Sequence, residues 1–159
     1  MEHRIEPLSN ESLEGAVEAI RSLPEFFYER DFEKAESNYR EFIAGKMPDD
    51  LFLTARNEEG EVVGVVGATK RPDADGVFFL ASFAVKKGQR GGGIGRKLLE
   101  ALEDQLRSRG GRVIFTETTT ASYCDSTRAF YEAVGYTMVA EVADFWTDGD
   151  PLALYEKRL

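Results

Sequence analysis

Glycine is the residue type whose spacing carries the most chemical information in this chain. The stretch Val85-Lys86-Lys87-Gly88-Gln89-Arg90-Gly91-Gly92-Gly93-Ile94-Gly95-Arg96-Lys97-Leu98-Leu99 runs from the end of an apolar segment into an amphipathic one. Glycines where a strand gives way to a helix let the backbone turn tightly and leave several N–H groups free to point at an anion, with the helix dipole helping. Phosphate binding is the chemistry this suggests; a flexible connection would have the same composition. Two nucleotide fingerprints fit poorly. A Walker loop needs Gly-Lys-Ser or Gly-Lys-Thr, and Gly95 is followed by Arg96-Lys97-Leu98. A dinucleotide fingerprint needs a third glycine three residues after the second, where Leu98 stands, and belongs at the end of the first strand rather than after a hairpin.

The other reactive residue types narrow the chemistry further. His3 is the one histidine and lies close to the N-terminus, which removes mechanisms built on a His pair or a Ser-His-Asp arrangement. Cys124 is the one cysteine; without a histidine beside it, a buried or loop thiol is a simpler reading than a nucleophile. No internal disulfide is possible, and no group of residues has metal-ligand spacing, so no metal is expected.

The elements that must position the glycine turn follow from periodicity. Arg4 to Leu8 predicts a short strand. Leu13, Ala16, Val17, Ile20 and Leu23 share a helical face, capped by Ser9 or Asn10 and ended by Pro24. Asp31 is expected to cap a second helix with the stripe Phe32, Ala35, Tyr39, Phe42 and Ile43, stopped by Gly45. Leu51 to Arg56 and Glu61 to Lys70 flank the turn Asn57-Glu58-Glu59-Gly60 as a hairpin. Val77 to Val85 is apolar on both faces and reads as a central strand covered on both sides. A helix from Ile94 to about Arg109 follows the glycines, then a strand over Arg112 to Thr118. Asp125 or Ser126 should cap a short helix ending at Gly135, and Tyr136 to Val142 and Leu152 to Lys157 are the last strands. The order βααβββαβαββ predicts an α/β fold with a mixed sheet and helices on both faces.

At 159 residues, with 42% hydrophobic and 31% charged residues, the chain has the balance of one globular domain, 1–159, able to bury roughly 70% of its unfolded surface. No linker or repeat offers a place to divide it. The apolar runs fall well short of the ~20 residues a membrane helix needs, and MEHRIEPL has neither signal nor transit character, so a soluble, cytoplasmic protein is expected. Twenty Lys and Arg against 29 Asp and Glu give a net charge of −9, which repels phosphate backbones and argues against nucleic acid as a partner.

Arg90-Gly91-Gly92-Gly93-Ile94-Gly95 fits (Gln or Arg)-x-x-Gly-x-(Gly or Ala) directly after a strand ending in Ala84-Val85. It resembles the acetyl-CoA signature of the GNAT superfamily of N-acetyltransferases. Thr127-Arg128-Ala129-Phe130-Tyr131-Glu132-Ala133-Val134-Gly135-Tyr136 is similar to that family's short helix, Ala-x-x-(Leu or Phe)-Tyr-x-x-x-Gly-(Phe or Tyr). The two blocks stand in the family's order, and so do the elements, so the resemblance covers essentially the whole chain and implies a GNAT-like fold.

The resemblance implies acetyl-CoA as cosubstrate. The strand before the glycine turn and the next strand would splay apart, with pantetheine hydrogen-bonded to backbone groups of Phe83, Ala84 and Val85. The pyrophosphate would rest on the N–H groups of Arg90, Gly91, Gly92, Gly93, Ile94 and Gly95, running into Arg96. Arg90 and Lys87 would add charge there, although a solvated basic loop is an equal reading of Lys86 and Lys87. Tyr131 would stand beside the thioester sulfur and donate its proton to the departing thiolate; a packing tyrosine is the alternative.

The general base is less directly indicated. Many members carry it on the strand before the glycine turn, but Phe78-Phe79-Leu80-Ala81-Ser82-Phe83-Ala84 has no carboxylate. Glu117, near the end of the next strand, is the best substitute, since desolvation at the splay would raise its pKa; a substrate anchor or a structural acid are alternatives. Ser82 is a candidate to hold a relaying water. By analogy with the family, Glu25 to Glu29 and the loop Asp144 to Asp150 would form the acceptor site, and their aromatics and carboxylates suit a cationic amine. The expected function is acetyl transfer from acetyl-CoA to a primary amine of a small cationic molecule. The alternatives are a non-catalytic CoA-binding regulatory module and a protein N-terminal or lysine acetyltransferase. A homodimer paired through Leu152 to Lys157 is compatible with the sequence.

Overall fold

The computed structural model describes residues 2–159. Its elements are β1 (Arg4–Pro7), α1 (Leu13–Arg21), α2 (Glu29–Ile43), β2 (Leu51–Arg56), β3 (Val62–Lys70), β4 (Val77–Val85), α3 (Ile94–Ser108), β5 (Val113–Thr118), α4 (Asp125–Ala133), β6 (Thr137–Thr147) and β7 (Asp150–Arg158), with a 3-10 turn, Ser122–Cys124, leading into α4. The seven strands form one sheet in the order β1-β2-β3-β4-β5-β7-β6, antiparallel except for β4 against β5. The predicted order of elements and the mixed sheet are therefore those observed.

Strand alternation divides the core in two. Leu51, Leu53 and Ala55 face the layer of α3 and α4, where Leu98, Leu102, Leu106, Ile114 and Tyr131 are buried. Phe52, Val65 and Ala84 face α1 and α2, packed on Ala16, Ile20, Phe32 and Tyr39. The stripes read from the sequence are the buried faces of these helices.

Helix starts differ from expectation. Ser12, not Ser9 or Asn10, precedes α1, because residues 9–12 first form a turn in which the Ser12 N–H bonds the Ser9 carbonyl at 3.1 Å. Asp31 lies inside α2 as its third residue, its carboxylate accepting the Tyr28 N–H at 2.7 Å, so the helix begins at Glu29. Cys124 holds the cap position of α4, and Asp125 is its first residue, pairing with Arg128.

The C-terminal hairpin differs more. β6 does not end at Val142 but runs to Thr147, so Asp144 to Asp150 is mostly strand and tight turn rather than loop. Phe145 and Trp146 are good strand formers, and the left-handed backbone of Asp144 (φ 54°) absorbs an irregularity between Val142 and Thr147. β7 lies between β5 and β6, paired on both sides. It has no free edge to pair across a dimer; the outer edge belongs to β6.

The feature that creates the site is the divergence of the two parallel strands. β4 pairs with β5 only over Val77–Phe79 and Val113–Phe115, where Phe79 and Phe115 stack at 5.4 Å. Beyond that the strands separate. β4 was expected to be covered on both sides, but Phe79 to Phe83 are only half-buried because they border the resulting gap. On its other edge β4 carries a bulge: Ser82 and Phe83 stand opposite the single residue Val66, and Ser82 adopts φ 55°. A non-glycine residue held there costs on the order of 1–3 kcal/mol, a concentration of strain typical of functional sites.

Candidate active site

The gap between β4 and β5 opens into a cleft of about 530 Å³, in the range of small-molecule sites. One end is the start of α3. Gly93 is its cap residue with φ 79°, and Gly91 has φ 91°, both in the left-handed region that side chains disfavour. The first helical bond runs from the Lys97 N–H to the Gly93 carbonyl at 3.0 Å, so the N–H groups of Ile94, Gly95 and Arg96 are not used within the helix. A Cβ on Gly91, Gly92 or Gly93 would meet nothing within 4 Å. The turn is an open cradle of donors.

Charge agrees with that reading. α1, α2 and α4 each carry an acidic residue in the first turn, as the helix dipole favours, whereas the first turn of α3 has none and carries Arg96 and Lys97. Positive side chains on a positive helix end repel each other, a strain that a bound polyanion relieves. Arg90 lies over the Phe26 ring at 5.2 Å, which ties the turn to the segment before α2. Of the residues expected to hold acetyl-CoA, Phe83, Ala84, Val85, Arg90, Gly91, Gly93, Ile94, Gly95 and Arg96 line the cleft; Gly92 is not on its wall. Along Leu80 to Val85 the β5-facing edge of β4 has no ladder partner, so its backbone groups face the cleft. The cradle, its charge and this strand edge together fit an extended thioester cosubstrate with a pyrophosphate.

Tyr131 is buried on α4, its ring among Phe83, Phe130, Tyr136 and Tyr155, and it also borders the cleft. Burial pushes its pKa up to about 12, against a weaker opposing effect of Thr116. The hydroxyl therefore keeps its proton at neutral pH. Glu117 is the next residue along β5 from Thr116 and points to the other face of the sheet, toward α2. It is exposed to the cleft, and desolvation by the walls raises its pKa, with Lys34 partly offsetting the effect. Ser82 lines the cleft at the bulge. Cys124 does too, but it is buried and desolvation raises its thiol pKa, so it stays protonated.

The far end of the cleft is closed by contacts that sequence periodicity did not reveal. The Trp146 Nε1–H donates to the Thr118 carbonyl at 3.0 Å, and Arg30 donates to the Trp146 carbonyl at 2.8 Å while lying 4.4 Å from the Tyr28 ring centre. Arg128 holds the β5–α4 connection through the carbonyls of Thr119 at 2.7 Å and Ala121 at 3.0 Å. Asp150, read as one member of an acidic loop, is instead buried and accepts hydrogen bonds from Tyr28, Thr119 and Tyr123. Phe26, Phe27, Tyr28, Asp31 and Trp146 line the cleft, so both predicted acceptor segments do reach it. Among the described residues no cluster of metal-ligating side chains is present, and no helix is long and apolar enough to cross a membrane.

Comparison with known proteins agrees with this geometry. The family model described as Acetyltransferase (GNAT) family matches residues 17–136. The chain is 33% identical to an IAA acetyltransferase of Azospirillum brasilense over 91% of its own length and 90% of that protein's. It is 31% identical to the L-2,4-diaminobutyric acid acetyltransferase of Halomonas elongata over 66% of this chain, and 34% identical to a probable N-acetyltransferase camello of Xenopus laevis over 57% of it. Those matches span 50% and 40% of the relatives' lengths. A crystal structure described as a putative acetyltransferase of the GNAT family from Desulfovibrio desulfuricans superposes with a TM-score of 0.91 at 23% identity, over 99% of both chains. An aminoglycoside 6'-N-acetyltransferase complexed with coenzyme A superposes at 0.76 and 20% identity, over 98% of this chain and 96% of that one. Motifs, sheet topology and these matches lead to one conclusion: the chain belongs to the GNAT family of acetyltransferases and is an acyltransferase.

Proposed function

We propose that this protein transfers the acetyl group of acetyl-CoA to a primary amine of a small, cationic molecule by direct attack. The observation that carries the proposal is one continuous cleft with three parts: a basic, donor-rich helix start, a protonated tyrosine, and a wall containing carboxylates and aromatics.

Acetyl-CoA supplies an activated thioester; the protein's residues orient it and move protons. The N–H groups from Gly91 to Arg96 hold the pyrophosphate, and the open edge of β4 over Phe83 to Val85 aligns the pantetheine. Tyr131 donates its O–H proton to the leaving sulfur. Glu117 accepts a proton from the incoming ammonium, directly or through a water held at Ser82. Its pKa, raised by desolvation, makes it a better base than an ordinary carboxylate. Cys124, kept as a thiol without a base, favours attack by the amine itself over an acetyl-enzyme. The Trp146 and Arg30 contacts narrow the acceptor end and favour a small molecule over a protein tail, in line with a relative named for diaminobutyrate.

Thiol release from acetyl-CoA, measured across a panel of primary amines, tests the proposal. Amine-dependent release with formation of the N-acetyl product is expected. CoA binding without release for any amine would favour the regulatory alternative.

A further inference from the structure

Asp150 opens β7, is 6% exposed, and accepts only from hydroxyl groups. Thr119 Oγ1 donates to Oδ1 at 2.6 Å, Tyr123 Oη to Oδ2 at 2.7 Å, and Tyr28 Oη to that same Oδ2. Burial by itself would raise the pKa of this carboxyl, but the three donors and the charge of Arg30 outweigh it and hold the group below the usual carboxylate range. Asp150 is therefore an ion with no proton to give, and each hydroxyl commits its single proton to it.

That commitment decides what the hydroxyls offer the cleft. Thr119 is buried, and its oxygen already accepts the Ala121 N–H at 3.0 Å. The Tyr28 and Tyr123 hydroxyls converge on the same Oδ2, within reach of each other, and both line the cleft. Their oxygens can present only lone pairs to a ligand. The neighbouring Thr118 carbonyl is taken by Trp146, and the Arg30 guanidinium, the nearby donor, is engaged with the Tyr28 ring and the Trp146 carbonyl. The two phenolic oxygens thus form a fixed pair of acceptors, polarised by the ion behind them.

We propose that Tyr28 and Tyr123, oriented by Asp150, recognise a second hydrogen-bond-donating group on the acceptor, an ammonium or a hydroxyl remote from the amine that is acetylated, and reject a carboxylate there. The inference rests on the acetyltransferase reading and adds to it the chemistry of the substrate's distal end. Asp150 is a positioning residue in this scheme.

The test is a series of linear primary amines, three to five methylenes long, ending in ammonium, hydroxyl, methyl or carboxylate, with kcat/KM measured at saturating acetyl-CoA. The ammonium or hydroxyl members should exceed the methyl members about tenfold, with the carboxylates poorest. Tyr123→Phe, at a residue already 42% exposed and so tolerant of change, should bring the donor-to-methyl ratio toward one through the acceptor KM, as should the isosteric Asp150→Asn. A merely structural role for Asp150 would lower all members alike. A flat series, or one led by carboxylates, overturns the proposal while leaving acetyl transfer intact. If no member is acetylated, calorimetry on the CoA-loaded protein reads binding of the same series, and equal binding of ammonium, hydroxyl and methyl ends also overturns it. Failure to bind CoA at all would instead overturn the acetyltransferase reading.

Discussion

Tyr131 and Glu117 border one cleft from opposite faces of the sheet. Thr116 stands beside the Tyr131 hydroxyl, and Glu117, its neighbour on β5, turns toward α2 and Lys34. A single compact protein would normally separate groups on two sides of a sheet, but β4 and β5 part after Phe79 and Phe115, so both groups reach the same space. A proton donor for the leaving sulfur and a proton acceptor for the incoming amine can therefore sit on either side of one carbonyl.

If Tyr131 is the acid, Tyr131→Phe lowers kcat by about 100-fold, the usual order for a positioned proton donor, and leaves the CoA dissociation constant nearly as it was. Because burial holds the wild-type pKa at about 12, tyrosine ionisation should impose no alkaline fall in kcat up to pH 10. Steady-state kinetics with calorimetry of CoA binding checks both points; full turnover by the phenylalanine variant would make Tyr131 a packing residue.

Gly93→Asp places a carboxylate in the anion cradle. Its Cβ meets no protein atom within 4 Å, so the variant should fold, at the cost of about 1–2 kcal/mol for a side chain at φ 79°. CoA affinity should fall at least about tenfold, or ~1.4 kcal/mol. Unchanged affinity by calorimetry would move the pyrophosphate away from this turn.

A base with a raised pKa gives a signed pH profile. Glu117 accepts a proton only when ionised, so wild-type kcat/KM should fall as pH drops through its pKa, which desolvation raises above the ordinary glutamate value. Glu117→Gln should lose most near pH 6–7, where free amine is scarce, and little near pH 10, where solution supplies it. Superimposable profiles of the two proteins would remove Glu117 from the mechanism.

Stability offers an independent check on the core. Glu103, only 2% exposed on α3, accepts from Lys157 at 2.8 Å and from the Tyr136 hydroxyl at 3.0 Å. Lys157→Met leaves that carboxylate without its cation and should cost about 3 kcal/mol, a fall in Tm of roughly 6–12 °C for a chain of this size. Arg71→Met, which removes an exposed pair with Asp73, should cost no more than about 1 kcal/mol. Equal losses in thermal unfolding would deny the buried pair its role.

The sequence by itself determined the order of elements, the core stripes and the glycine turn, because each rests on local periodicity or on backbone geometry within a few residues. β4 could be read to its observed ends, and α3 could be placed by its glycines and apolar spacing. Gly93 stands at the helix start because few other residues adopt its backbone angles. The helix caps were less legible, since Ser9, Ser12, Asp31 and Asp125 are alike as cap formers and only the path of the incoming chain selects among them. Only the tertiary structure decided the rest. The extension of β6 depends on its pairing with β7, and β7 is an inner strand because β5 and β6 pair on either side of it. Asp150 shows the limit most clearly: Tyr28 lies 122 residues away along the chain, so no spacing rule links them. In the sequence it is one acid among several near a turn. In the fold, the loss of solvent around it is met by three hydroxyls from two other segments, which turn their protons inward.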